Sequence, residues 1–140
     1  MEIVSVIVAV LALALSAYTF ILTYKRDKVR DTIKAYTDLQ SFLYHYYEYS
    51  DGEIETFVDD WESEEYKSLS NSLAQVEMFA TGVKQGIYDY NVVFKLAHGF
   101  LDGTLRDRLE YMLDMKTEKH PELYRNTRWL LEKMDKTPIR

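Results

Sequence analysis

The sequence of 140 residues has no cysteine, two prolines and five glycines. Without cysteine, the chain cannot form disulfides, thiolate nucleophiles or cysteine-ligated metal sites. Few residues interrupt helices, and after residue 24 no alternating pattern of β-branched residues indicates hairpins or βαβ units. We therefore expect an all-α protein.

Several kinds of functional motif are also absent. The three histidines are widely separated and form no His-Glu-x-x-His pattern, and there is no glycine-rich phosphate loop, nucleophile elbow or kinase signature. The net charge of −6 argues against a general nucleic-acid-binding protein, which needs a clustered basic surface. These features predict a protein that is not an enzyme and binds no cofactor, metal or nucleic acid.

Residues 3–24, which we call the apolar segment, contain no charged residue and no proline. As a helix rising about 1.5 Å per residue, the segment would be roughly 33 Å long, enough to cross a hydrocarbon core of about 30 Å. Glu2 precedes it in place of a basic cluster, and no small-residue cleavage site follows, so a cleaved signal peptide is disfavoured. We expect residues 1–24 to be a permanent anchor in a lipid bilayer.

The residues after the apolar segment predict its orientation. Lys25, Arg26, Lys28 and Arg30 follow it directly, whereas Glu2 is the one charged side chain before it. Basic flanks stay in the cytoplasm. We therefore expect a single-pass protein of the bacterial inner membrane, with its N-terminus outside, a cytoplasmic helical domain at residues 25–136 and a frayed C-terminus at 137–140.

Small and hydroxylated residues recur through the apolar segment at intervals of three and four. They are Ser5, Ala9, Ala12, Ser16, Thr19 and Thr23. Helices in lipid associate where small residues allow close backbone approach and hydroxyls form hydrogen bonds. The pattern predicts a seam for homo-oligomerisation, although small residues are also common in spans that do not associate.

The helical domain is predicted to contain about four to five helices. The anchor helix should continue to about Tyr49, because no breaker interrupts it. Ser50 and Glu53 form a capping-box pattern for a second helix, and a third is predicted from Glu64 to Lys84. The core-facing stripe of the anchor helix is predicted to be Val29, Ile33, Tyr36, Leu39, Leu43 and Tyr46.

Glycines and caps predict the remaining helix boundaries. Gly82 lies near the end of the third helix, and Gly86 is suited to terminate it. Asp89 is a good N-cap for a fourth helix extending to about Met115, with Phe100 and Leu101 on its apolar side. A fifth helix is predicted to begin at Pro121.

Residues 48–65 carry nine acidic side chains and no lysine or arginine. They are Glu48, Asp51, Glu53, Glu55, Asp59, Asp60, Glu62, Glu64 and Glu65. Carboxylates can bind a divalent cation, but no Asp-x-Asp-x-Asp-Gly loop is present. A solvated acidic face directed away from anionic lipids is the favoured interpretation.

Parts of the second half of the chain resemble a bacterial family. The resemblance lies in residues 76–83, in Gly86-Ile87-Tyr88-Asp89, in Tyr111 and in residues 124–131. The family is uncharacterised and comprises small, membrane-anchored, all-helical proteins. The resemblance implies the same architecture and supplies no reaction.

Glu77 lies between apolar residues and therefore needs a partner for its carboxylate. We expect it to pair with an arginine and fix how the helices dock. The arginines considered are Arg106, Arg108, Arg125 and Arg128. A catalytic base is the alternative, although a base also needs a pocket and a second reacting group.

These features predict a membrane-anchored interaction protein that self-associates and docks an unknown cytoplasmic partner. An oligomeric pore or membrane-perturbing effector, of the phage-defence or toxin type, is the alternative, because the same seam could surround a pore. A hydrolase using Glu77 or the acidic residues is a third interpretation.

Overall fold

The computed structural model describes residues 2–99 and 103–138, which are helical apart from their turns and contain no strand. The expectation of an all-α protein is therefore confirmed for this part of the chain. It contains six helices of eight or more residues and one single turn, α2. They are α1 (Glu2–Leu43), α2 (His45–Glu48), α3 (Asp51–Asp59), α4 (Glu64–Lys84), α5 (Tyr90–Ala97), α6 (Thr104–Lys119) and α7 (Arg125–Lys136).

Helix α1 is 42 residues long and passes from the apolar segment into the domain without interruption. It ends at Leu43, and α2 follows it directly, so the predicted continuation to about Tyr49 is divided into a helix and one turn. The buried residues of α1 are Thr32, Tyr36, Leu39 and Leu43. Ile33, predicted to face the core, is instead 45% exposed.

Helices α3 and α4 begin at side-chain caps. Ser50 N donates to Glu53 Oε2 at 2.7 Å, and Ser50 Oγ accepts from Glu53 N at 3.4 Å, so the predicted capping box is confirmed. The backbone N–H of Ser50 and its hydroxyl, which also donates to Glu53 Oε2 at 2.7 Å, lower the pKa of Glu53. Ser63 Oγ caps α4, whose bounds agree with the prediction.

The predicted fourth helix is wrong in its length. Helix α5 ends at Ala97, and α6 begins after Gly103, whose φ of +69° is incompatible with a right-handed helix. Phe100 and Leu101 lie outside the described residues.

The last helix also begins later than predicted, at Arg125. Residues 121–124 form a turn that ends with Tyr124 in the left-handed region, at φ 56°. Beyond α7, Thr137 Oγ1 lies 2.6 Å from Tyr90 Oη, so position 137 is joined to the domain, while residues 139–140 lie outside the described residues.

Helix α4 lies at the centre of the domain and contacts α1, α2, α3, α6 and α7. Its buried face includes Leu69, Leu73, Val76 and Phe79. The most extensive contact is between α4 and α7, and the face of α1 that carries Tyr36 and Leu39 covers another side. The core therefore depends on residues 25–43 of α1, which we call its inner half.

Helices α6 and α7 are joined by an ion pair. Arg106 binds the Asp135 carboxylate with two guanidinium nitrogens, one of them 2.7 Å from Oδ2, and its Nε lies 2.8 Å from Glu110 Oε1. The guanidinium of Arg106 lowers the pKa of Asp135, and the hydrogen bond to Asp135 raises the pKa of Arg106.

Candidate functional site

The apolar segment is exposed along its whole length. Every residue from 3 to 24 is exposed in the single chain, and Leu13 reaches 74%. The mean hydropathy of its most apolar 18-residue window is 2.4, and none of that window is buried. One N-terminal helix is thus long and apolar enough to span a membrane.

The residues of the predicted seam share one side of the apolar segment. With about 100° per residue, positions 5, 9, 12, 16, 19 and 23 lie within about 40° of a common direction. The buried residues of α1, at positions 32, 36, 39 and 43, point roughly 160–220° away from that direction. The seam therefore faces away from the domain, and Thr19 Oγ1 donates to Leu15 O of its own helix at 2.9 Å.

The basic residues that follow the apolar segment lie at the start of the inner half of α1. Lys25 and Arg26 are exposed, and Lys28 is half-buried. Arg30 lies 3.4 Å from Asp27 and 3.3 Å from Asp31, so its charge is partly balanced locally.

Residues 82–89, which we call the junction, include the end of α4 and the turn that follows it, and they contact α1. Asp89 N donates to Thr32 Oγ1 at 2.8 Å, while that hydroxyl donates to Lys28 O at 2.7 Å. Asp89 Oδ1 accepts from Asn91 N at 2.9 Å and from Val92 N at 3.3 Å, so its predicted N-cap role is confirmed. One residue thus begins α5 and joins it to α1.

Two glycines shape the junction. Gly86 has a φ of +75°, with bonds from Gly86 N to Val83 O and from Ile87 N to Gly82 O, which together form a Schellman motif. A Cβ on Gly82 would lie only 2.5 Å from Tyr88 Cε2. Gly82 is therefore required for the close approach of the Tyr88 ring.

Aromatic rings continue from the junction to α1. Tyr88 stacks on Phe79 with ring centroids 5.2 Å apart, and Phe79 contacts Tyr36 at 6.2 Å. Tyr36 Oη donates to Leu96 O at 3.3 Å, and burial raises the pKa of Tyr36 to about 12. These contacts fix the inner half of α1 against both α4 and α5.

Glu77 caps the N-terminus of α7. Its Oε2 accepts from Thr127 N at 2.8 Å and from Thr127 Oγ1 at 2.7 Å, while Oε1 accepts from Asn126 N at 3.2 Å. A carboxylate suits the exposed N–H groups and positive end of a helix. The expectation of an arginine partner is therefore wrong, because the backbone of α7 supplies the donors.

Three of the arginines considered for Glu77 bind other groups. Arg106 joins α6 to α7, as described above. Arg108 Nε donates to Asp51 Oδ1 at 2.8 Å, and its Nη1 donates to Tyr46 O. Arg128 Nη2 donates to Asp114 Oδ1 at 2.8 Å.

Arg108 and Tyr111 line a groove of about 210 Å³ beside α3. Sequence reasoning did not single out Arg108 for this position, and an arginine within an amphipathic helix gives no signal of it. A second groove, of about 240 Å³, lies between α1 and α4 beside Phe42 and Met78. In the described part of the chain, no three His, Asp or Glu side chains are placed to hold a metal ion.

Residues 6–134 match the model of a family described as a domain of unknown function (DUF4760), and the chain belongs to this family. The matched region includes most of the apolar segment, the whole junction and Glu77. The resemblance to an uncharacterised family is therefore confirmed. No curated protein and no solved structure matches the chain.

Proposed function

We propose that this DUF4760 protein is a membrane-anchored interaction and assembly protein, in which the apolar segment spans the bilayer and the helical domain holds a partner protein at its cytoplasmic surface. The observation that carries the proposal is the continuity of α1. The same helix is exposed and apolar at residues 3–24 and enters the domain core at Thr32.

The free energy of membrane insertion supports the anchor. The apolar segment contains twelve Ile, Val, Leu and Phe residues, each favouring insertion by about 0.3 to 0.6 kcal/mol, or roughly 4 to 7 kcal/mol together. In water the same side chains would form an exposed apolar surface around the whole helix. Insertion into lipid removes that surface from contact with water, and the fold of the domain does not need to change.

The basic residues support a cytoplasmic location for the domain. Lys25 and Arg26 are exposed immediately after the apolar segment, where they favour the cytoplasmic interface. The orientation can be tested with a C-terminal reporter that is active in one compartment. Activity on the outer side alone would disprove the orientation.

The direction of the seam supports self-association through the span. Because it faces away from the buried side of α1, copies could meet along the seam with their domains on the outside of the assembly. Ala12 lies on the seam, whereas Ala14 lies on the opposite side of the helix. Light scattering in detergent should show an oligomer for the native chain and for Ala14→Leu, and a smaller species for Ala12→Leu.

The contacts of the ionisable side chains support interaction over catalysis. Both carboxylate oxygens of Glu77 accept hydrogen bonds from α7, and Arg108 joins α6 to Tyr46 and Asp51. These groups hold helices together. Because these groups already bind other parts of the domain, a partner would bind to the domain's surface or its grooves.

The anchor is tested by extracting membranes with alkaline carbonate. The native chain should remain in the pellet, and its release into the supernatant would contradict the proposal. Dye-loaded vesicles separate an assembly protein from the pore alternative. Vesicles containing the native protein should retain their dye, and release that depends on Ala12 would favour the pore.

A further inference from the structure

Ile87 is 58% exposed, although the backbone around it is fixed on both sides. On one side, Ile87 N donates to Gly82 O within the Schellman motif, and on the other, Asp89 N donates to Thr32 Oγ1. In many such motifs the residue at the position of Ile87 packs on the residue at the position of Gly82. Here Gly82 has no side chain, and the Tyr88 ring occupies its surface. The junction therefore presents Ile87 outward.

The contacts between α1 and α4 give the distance of Ile87 from the apolar segment. Position 42 contacts 72 and position 36 contacts 79, so the two helices run antiparallel in constant register. Position 46 of α2 continues that register by contacting position 69. Continuing that register places position 87 level with position 28, and the return of the chain at Asp89 is level with Thr32. Ile87 lies between these levels, four to eight residues, or about 6 to 12 Å, past Tyr24.

The lower end of this range falls within the lipid headgroup layer, which is roughly 5 to 8 Å thick on each side of the hydrocarbon core. The junction lies beside the basic residues that follow the apolar segment, because Lys25 and Arg26 are exposed within one turn of position 28. Lys84, at the end of α4, is exposed, and its Nζ donates to Asn126 Oδ1 at 3.0 Å. Asp27 and Asp31 pair with Arg30, and Asp89 caps α5. The acidic residues at 48–65 follow the far end of α1.

We infer that the junction is a second membrane contact, in which Ile87 inserts into the headgroup layer beside the span. The inference rests on the proposed membrane span. Two contacts on one rigid body would fix the rotation of the domain about α1 as well as its distance from the bilayer. The partner of this surface is the lipid itself.

Single-cysteine variants can test this contact directly, because the native chain has no cysteine. Full-length Ile87→Cys would carry a nitroxide label in vesicles of phosphatidylcholine and phosphatidylglycerol at a ratio of about three to one, a charge typical of anionic membranes. Power saturation then compares collisions with oxygen, which enters lipid, and with a water-soluble nickel chelate. Met78→Cys is the matched control. Met78 is 67% exposed, but it is level with position 37 of α1 and therefore lies further from the apolar segment than Ile87 does.

We expect nickel accessibility at position 87 to be several-fold lower than at position 78, with high oxygen accessibility. Equal nickel accessibility at the two positions would overturn the inference. Low accessibility to both reagents would also overturn it, because that result indicates protein in place of lipid. Ala14→Cys, on the side of the helix opposite the seam, tests the span separately. Lipid exposure at position 14 with a water-exposed position 87 rejects only the junction contact, whereas water exposure at position 14 rejects the proposed function.

Discussion

The two halves of α1 are the same helix under different constraints. In the apolar segment every position is exposed and none is charged. In the inner half, residues 25–43, one side enters the core through Thr32, Tyr36, Leu39 and Leu43 while the other side stays polar and exposed. The comparison shows that one continuous helix can have uncharged, exposed side chains on every side in one half and a single buried stripe in the other half.

Substitutions in the two halves should therefore affect different properties of the protein. A change in the inner half should alter the folding of the domain, because its side chains pack against α4 and α5. A change in the apolar segment should alter membrane insertion or association and leave the domain folded. Four predictions test this separation, in order of decreasing effect.

The largest effect should come from placing a carboxylate in each half. Leu39→Asp buries a charge in the core, and we expect it to lower the free energy of unfolding by more than about 4 kcal/mol. Leu13→Asp should cost about 2.5 to 3.5 kcal/mol of insertion free energy and leave the domain's melting temperature unchanged. Near-ultraviolet circular dichroism measures the first effect, and carbonate extraction measures the second. A domain unfolded by Leu13→Asp would refute the separation.

Glu77→Ala removes the acceptors for three donors of α7. We expect a loss of about 2 to 3 kcal/mol in unfolding free energy, since half-buried N–H groups would lose their partners. Denaturant titration of the full chain in detergent measures the loss. Glu65→Ala, at an exposed position of the same helix, is the control and should change stability by less than about 0.5 kcal/mol. Similar losses in both variants would contradict the capping role.

Thr32 and Thr19 form a matched pair across the two halves. Each hydroxyl donates to the carbonyl four residues earlier, but only Thr32 is shown to accept a further bond, from Asp89 N. Thr32→Val should therefore cost about 1 to 2 kcal/mol of domain stability, and Thr19→Val less than about 0.5 kcal/mol. Thermal melts of the two variants give the difference. Equal melting temperatures would show that the junction bond contributes nothing.

The smallest effect concerns acid. The pKa values of Asp135 and Glu53 are lower in the folded chain than their ordinary values, because Arg106 and Ser50 stabilise the charged forms. The resulting stability is present above the unfolded pKa values and is lost as the pH falls through the folded ones, so melting temperatures should decline below about pH 4. Asp135→Asn should make that decline shallower, unlike Asp59→Asn at an exposed acid. Insertion of the apolar segment, which carries no charge, should not change over this range.

Local signals in the sequence predicted the parts of the fold that depend on neighbouring residues. The capping box at Ser50, the bounds of α4 and the N-cap at Asp89 each follow from contacts within a few residues. Ile33 shows where periodicity fails. It is more apolar than Thr32, yet Thr32 faces the domain, where its hydroxyl receives Asp89 N from a position 57 residues away.

The candidate site was predicted less completely for the same reason. The partner of Glu77 lies on a helix 49 residues later in the chain, and the start of α7 depends on the left-handed Tyr124. Gly103 interrupts the predicted fourth helix through its positive φ, and a glycine in a sequence does not by itself show that it adopts this conformation. Composition and spacing identified the apolar segment and the importance of Glu77, while long-range hydrogen bonds decided what Glu77 contacts.

The unbroken length of α1 has a mechanical consequence. Membrane-spanning helices tilt to match the thickness of the surrounding bilayer, typically by about 20°. Because residues 13 and 43 are roughly 45 Å apart on one helix, a change of about 10° in tilt around residue 13 would displace residue 43 sideways by roughly 8 Å. Helix α1 would then act as a lever arm that converts small changes in bilayer thickness into large movements of the domain.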